Sequence, residues 1–223
     1  MRTIALVAAK GESERVPRKN IRPFANADLV TIKLAQLAEV RHLDGIVLSS
    51  ESDEVLERGR KAPCDVMLYK RDPLYSTQQV PMSEVYRHLA NKVVADVIVW
   101  VPVTNPFVEA EVYDDAILIY KAVGGAEYDC LLSVTELKDY VFYRGKPVNF
   151  TPCPWPRSQD LRGLYALNLA ICILRRQDME AWGSLVGGRP YFYLRDDVDF
   201  HDIDDMYDFE ECEAKYKRLK GLE

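Results

Sequence analysis

Two stretches carry side chains that could do chemistry together, and they lie at opposite ends of the chain. Near the N-terminus, residues 8 to 20 gather Lys10, Arg15, Arg18 and Lys19 within ten residues, beside Gly11, the Ser13 hydroxyl and the Asn20 amide. Loop N–H groups, a hydroxyl and several cations can together cradle an anion. Neither Gly-x-Gly-x-x-Gly nor a P-loop is present, so the expectation is a polyphosphate held by a non-Walker loop. A solvated basic loop is the plain alternative. Near the C-terminus, the stretch from Asp196 to Glu213 holds ten acidic residues and no Lys or Arg. In an extended segment Asp202 and Asp204 project to the same face. Two hard oxygen ligands could then converge on one Mg²⁺. The competing role is plainer: Asp204 or Asp205 caps the helix that follows. Taken together, the two stretches suggest a metal–nucleotide site assembled from both ends.

The elements that must position these groups follow from hydrophobic pattern. Thr3-Ile4-Ala5-Leu6-Val7 reads as a buried strand feeding the cationic loop. Further strands are expected at 45–50, 64–69, 96–101 and 129–134, alternating with helices near 29–41, 52–61, 82–95 and 109–123. Apolar strands without alternation, separated by helices, imply a parallel sheet covered on both faces. The expected class is therefore a doubly wound, mostly parallel α/β fold. Ligands in such sheets bind past the carboxyl ends of the strands, where residues 9–20, 70–80 and 102–107 would lie.

That rhythm breaks after residue 135. Segment 136–163 is rich in aromatics, Pro and Arg, and Tyr140–Tyr143 with Val148–Phe150 can form a hairpin across Gly145. A dimerisation arm, an active-site lid and a plain surface hairpin are all open readings. The sheet resumes with 164–174, a helix near 177–182, a strand at 191–195 and a last helix from about Asp205 to Leu219.

Composition narrows the classes. The 223 residues suit one α/β domain over 1–223 with 136–163 as an inserted arm. A net charge of −6 argues against general nucleic-acid binding. No apolar run is long enough to span a membrane and no leader pattern opens the chain, so a cytoplasmic protein is expected. The five cysteines are scattered without a Cys-x-x-Cys pair, which fits reduced thiols. None of the three histidines, His42, His88 and His201, neighbours a Ser or Cys nucleophile, so a triad hydrolase is not expected.

Five motifs, in order and spacing, resemble the cytidylyltransferases that activate sialic acids and related acidic sugars, the acylneuraminate and Kdo type. Lys10-Gly-Glu-Ser-Glu-Arg-Val-Pro-Arg-Lys-Asn20 is similar to the family's nucleotide loop. Val103-Thr-Asn-Pro-Phe107 resembles its Gln-Pro-Thr-Ser-Pro loop, and Ser133-Val-Thr135 the strand end before its dimerisation excursion. Pro156-Arg-Ser-Gln-Asp-Leu161 with Tyr165-Ala-Leu-Asn168 is similar to the return segment, and Asp202-Ile-Asp204 to the metal-binding Asp-Ile-Asp. There are departures. The family's loop arginine falls on Lys10, which loses the bidentate fork, and its motif lysine falls on Glu14, with Arg15 beside it. Its Gln before Thr-Ser-Pro falls on Pro102 or Val103, and Asn168 is followed by Leu-Ala instead of Gly-Ala.

The resemblance implies a nucleotide-diphosphosugar transferase-like fold and CTP-dependent activation of a 2-keto sugar acid, with release of pyrophosphate. It implies catalytic roles for Lys10, Arg15, Asp202 and Asp204, with Mg²⁺ on the two aspartates. Nucleotide contacts would come from Ala9, Lys10, Gly11, Ser13, Arg15, Lys19, Asn20, Ser76 and Thr104. The acidic sugar would meet Thr104, Asn105, Arg157, Gln159, Tyr165 and Asn168, and the arm would build a homodimer. Two other classes share some of these features: a glycosyltransferase with its own Asp-x-Asp, and a nucleotide- or sugar-binding protein without turnover.

Overall fold

The computed structural model describes residues 1–125 and 127–222. Ala126 and Glu223, which the expected domain 1–223 includes, lie outside the described residues. The chain forms β1 (Thr3–Ala8), α1 (Leu29–Ala38), β2 (Gly45–Ser50), α2 (Asp53–Arg60) and β3 (Val66–Lys70). It continues with α3 (Met82–Lys92), β4 (Val97–Trp100), α4 (Ala110–Val123) and β5 (Cys130–Glu136). A short hairpin, β6 (Phe142–Tyr143) and β7 (Lys146–Pro147), precedes β8 (Tyr165–Arg175), α5 (Arg176–Trp182), β9 (Pro190–Leu194) and α6 (Met206–Lys220).

Seven strands form one sheet in the order β3-β2-β1-β4-β8-β5-β9. All its pairings are parallel except those of β8, which runs against both β4 and β5. Strand apolarity explains the double cover. Along β1, Ala5 and Val7 pack into one core with α1, α4 and α6, while Ile4 and Leu6 pack into the other with α3 and α5. Period-2 alternation with both faces apolar requires a layer of helices on each side. β8 is the one antiparallel member of this mostly parallel sheet, a direction the sequence pattern leaves unassigned. Its two halves explain why pattern alone misses this: 170–174 are buried on both faces like their parallel neighbours, so nothing in their residue types encodes direction.

The strand order reverses between β1 and β4, where the segments leaving their carboxyl ends part and open a crevice. Helix starts fix the flanks. Asp28 caps α1 by accepting from the Thr31 amide at 2.9 Å and also accepts from Arg58 Nε at 2.9 Å, tying α1 to α2. The hairpin turns at Gly145 as expected, but its strands are Phe142–Tyr143 and Lys146–Pro147, so the return strand begins two residues before the expected Val148–Phe150, with Arg144 and Gly145 at φ 49° and 79°. Positive φ at both central residues is what a two-residue turn matched to strand twist needs.

Candidate active site

A cleft of about 630 Å³ opens at the reversal point, lined by Ala8, Lys10 and Ser13–Arg15, by Lys19 and Asn20, by Ser76–Gln78 and by Pro102–Thr104. The cationic loop, the segment after β3 and the segment after β4 thus supply its walls, as the sequence suggests. Not every expected contact faces it. The Ala9 amide donates to Ser49 O at 3.1 Å and the Gly11 amide to Glu51 Oε1 at 2.7 Å, so both donors are already engaged in the scaffold. The cradle is made by side chains, Lys10, Ser13, Arg15 and Lys19, more than by these amides. Gly11 is required for a different reason: a Cβ there would stand 2.6 Å from the Ser52 Cβ. Asn20 lines the cleft, but its amide nitrogen closes the loop on Lys10 O at 2.8 Å.

The acidic segment meets this loop from the other side. Arg15 Nη2 donates to Asp204 Oδ1 at 2.6 Å, and Lys19 Nζ donates to Ile203 O at 2.5 Å, across more than 180 residues of sequence. The capping question is resolved by which carboxylate does what. Asp205 accepts from the Tyr207 and Asp208 amides and caps α6, while Asp208 accepts from the Asp204 and Asp205 amides. The Asp204 carboxylate is left out of the cap and faces Arg15. Asp202 accepts from the Thr104 hydroxyl; desolvation pushes its carboxyl above the usual range, against that hydrogen bond and the Lys19 charge. Burial likewise pulls Lys19 below the ordinary lysine value, although Asp202 and Asp204 oppose it. Neither aspartate lines the cleft itself; both are held by residues that do.

The donor set fits a hard divalent cation. Two carboxylates at alternating positions suit Mg²⁺, which takes one or two carboxylates and completes its shell with water and phosphate oxygens. Among the described residues no cluster of three or more His, Cys, Asp or Glu could hold a metal unaided.

The support beneath the cleft was largely invisible in the sequence. Glu51, at the end of β2, accepts from Gly11, from Arg71 Nη2 at 3.2 Å and from the Ser76 hydroxyl at 2.6 Å. Burial works against its charge, but the bonds from Ser76, Gly11 and Arg71 prevail and hold its pKa below the usual value. Ser76, expected at the nucleotide, therefore borders the cleft with its hydroxyl committed to Glu51. Asn105, expected to touch the sugar, is fully buried and donates to Phe200 O at 3.1 Å and His201 O at 3.0 Å. It is a brace under the acidic segment. The Gln78 amide donates to Glu14 at 2.5 Å, so the acidic residue in the lysine's place faces the segment after β3.

The remaining expected sugar contacts do not converge on this cleft. Arg157 is 71% exposed and pairs with Asp160, its neighbour three residues on. Gln159 is exposed, and its carbonyl accepts from Arg162. The Asn168 side chain bonds Ser133, Thr135 and the Ala170 amide, stabilising an irregularity where β5 and β8 shift register. Tyr165 packs its ring against Phe192 at 5.4 Å. A second hollow of about 360 Å³ lies by the ends of β5 and β9, lined by residues that include Thr135, Lys138, Arg195 and His201.

Comparison with known proteins agrees with this architecture. Residues 4–213 match the family model described as cytidylyltransferase. The chain is 24% identical over 198 residues to the N-acylneuraminate cytidylyltransferase of Oncorhynchus mykiss, covering 85% of this chain and 44% of that protein. A 67-residue stretch is 34% identical to the pseudaminic acid cytidylyltransferase of Campylobacter jejuni, 28% of this chain and 29% of that one. This chain spans about half the length of the fish relatives it matches. The solved structure of a CMP:2-keto-3-deoxy-manno-octonic acid synthetase with CTP shares the fold, with a TM-score of 0.69 at 11% identity over 98% of this chain and 100% of that one. No helix among the described residues is long and apolar enough to cross a membrane. With the family model matching nearly the whole length, the chain belongs to the cytidylyltransferase family.

Proposed function

We propose that the protein transfers the cytidylyl group of CTP to a 2-keto sugar acid of the sialic or nonulosonic type, releasing pyrophosphate. The observation that carries this reading is the meeting of Arg15 and Asp204 at 2.6 Å, which brings the cationic loop and the acidic segment to one cleft at the strand reversal. In the reaction, the anomeric hydroxyl oxygen bonds to the α-phosphorus while the bond to the bridging oxygen of pyrophosphate breaks. Negative charge then builds on the leaving group and the phosphoryl oxygens. Cations placed where that charge develops lower the barrier. Lys10, Arg15 and Lys19 are the groups on this chain that do so, with the Ser13 hydroxyl as a further donor. Asp202 and Asp204 would hold Mg²⁺, whose contribution is charge neutralisation at the phosphates.

The acid-sugar side is proposed to be completed by a second subunit. Arg157 and Gln159 lie in the 136–163 excursion, whose Phe142, Tyr143 and Trp155 are 57%, 65% and 60% exposed. A two-fold dimer would cover these rings and bring the arm to the neighbouring cleft. The names of the relatives support the acidic-sugar class. The test is pyrophosphate release from CTP and Mg²⁺ with a panel of nonulosonic and octulosonic acids. Release that depends on one of these acids is the expected result; none with any of them overturns the proposal.

A further inference from the structure

Helix α1 carries a lysine where its pattern calls for a core residue. Lys33 sits one turn from Leu29 and Leu37, is fully buried, and points its Nζ at the segment between β4 and α4. It donates to Asn105 O at 2.9 Å, Val108 O at 3.2 Å and Tyr113 Oη at 3.1 Å. An ammonium has three hydrogens, and each has an acceptor. One turn further on, Gln36 donates to Pro106 O at 2.7 Å. Two side chains of α1 thus fasten three carbonyls of the 105–108 segment.

That segment in turn fastens the acidic segment. The Asn105 amide donates to the Phe200 and His201 carbonyls, the Thr104 carbonyl accepts from the Ile203 amide at 3.0 Å, and the Thr104 hydroxyl serves Asp202. We propose that Lys33 is a positioning residue for the reaction: through the 104–108 segment it sets the placement of Asp202 and Asp204 against the cationic loop. The proposal rests on the cytidylyl-transfer reading for its kinetic consequence, but its structural content stands apart from substrate identity.

The acceptors explain how a buried lysine can serve without a carboxylate beside it. Burial pulls Lys33 down to about 7, with Glu109 opposing. When the amine is neutral it keeps two hydrogens for the two carbonyls, and its lone pair can accept from the Tyr113 hydroxyl, which both donates and accepts. The tether is satisfied in either protonation state.

The experiment uses the full-length protein with Lys33→Met, which keeps the volume and removes the donors, and Lys33→Gln, which restores one. Amide hydrogen exchange is measured without nucleotide, metal or sugar. In Lys33→Met, exchange at Ile203 and its neighbours should accelerate while the amides of β1 and β2 keep wild-type protection, with Lys33→Gln in between. Displacement of catalytic groups by about 1 Å can cost on the order of 10²-fold, so kcat should fall on that scale while the KM for CTP moves less than about 3-fold. Wild-type exchange at Ile203, or equal acceleration in β1, β2 and the acidic segment, overturns the proposal. So does unchanged kcat with accelerated Ile203. If Lys33→Met does not fold, Lys33→Gln carries the same comparison. Should the wild-type protein release no pyrophosphate with any sugar acid, the functional reading fails, and the exchange data still decide the tether.

Discussion

The cleft and the 136–163 arm are built on opposite plans. Around the cleft, polar side chains reach across long sequence separations: Arg15 to Asp204, Lys33 to Asn105, Arg71 to Glu51. In the arm the bonds are local. Tyr140, Phe150 and Trp155 cluster with ring centroids within 5.3 Å of one another, Phe150 edge-on to the other two and Tyr140 tilted on Trp155; Phe142 packs on Phe150, Tyr140 donates to Pro156 O at 2.7 Å, and Asn149 ties Val141 to Asp139. The difference teaches what each region can do alone. The cleft side holds its geometry through the core, whereas the arm holds only its own shape and leaves its outer rings in water. An isolated hairpin of this size is marginal, so the arm's exposed rings call for a partner surface.

The sharpest way to break this contrast is at the acidic segment. Asp204→Asn should reduce turnover by orders of magnitude in a pyrophosphate-release assay. Its ion pair with Arg15 is more than half exposed on both sides, so its loss should cost no more than about 1 kcal/mol of stability. Full activity in this variant removes the aspartate from the mechanism. On the arm the expectation is reversed. Replacing Phe142 or Tyr143 by Ser should leave the fold intact but convert a particle of twice 25.6 kDa into a monomer with reduced activity. Light scattering that gives a fully active monomer in the wild type would make the arm a lid or a simple hairpin.

A third measurement probes the buried charge beneath the cleft. Lys33 titrates near 10.5 when exposed and at about 7 in the fold. Between those values the unfolded chain keeps a proton that the folded chain has released, so stability should rise with pH. The slope is about 1.4 kcal/mol per pH unit at most. Denaturant titrations at pH 7.5 and 9 should show this gain in the wild type relative to Lys33→Met. Equal pH dependence in the two proteins would mean that the ammonium is not desolvated. The smallest effect is expected at the loop's surface: Arg15→Ala should raise the KM for CTP several-fold. Glu14→Lys should leave turnover intact. An unchanged KM in Arg15→Ala would place that guanidinium on Asp204 alone.

Much of this was legible in residue order, and what was not has common physical causes. The strands and helices around the cleft appear within a few residues of their expected bounds because uninterrupted apolar runs and capped starts such as Asp28 are local signals. The meeting of the two ends was readable from charge: a cationic loop after the first strand and an acidic run near the last helix. The supports were not. Glu51 and Arg71 look like ordinary surface charges at strand ends, and Asn105 looks like a ligand residue in an exposed loop; only the fold puts them underneath. Lys33 did leave a trace, a lone charge on the apolar stripe of α1. The direction of β8 left none, since a strand buried on both faces reads alike in either direction. Arg157 and Gln159 were placed by resemblance alone; in the fold they sit in the exposed arm, with Arg157 paired to Asp160 and the Gln159 carbonyl to Arg162.

The reversed direction of β8 has a consequence for how this protein can change. Glu136 and Tyr165 are register partners, so the excursion departs and returns across a single rung of the ladder. Everything between them is, topologically, one oversized turn. The sheet on either side would be undisturbed by an excursion of another length or sequence, and the rung sits at the same edge as the cleft. The arm is therefore an exchangeable cassette at the carboxyl edge of the parallel strands. Its loop could be recombined between relatives in one step without renegotiating the core.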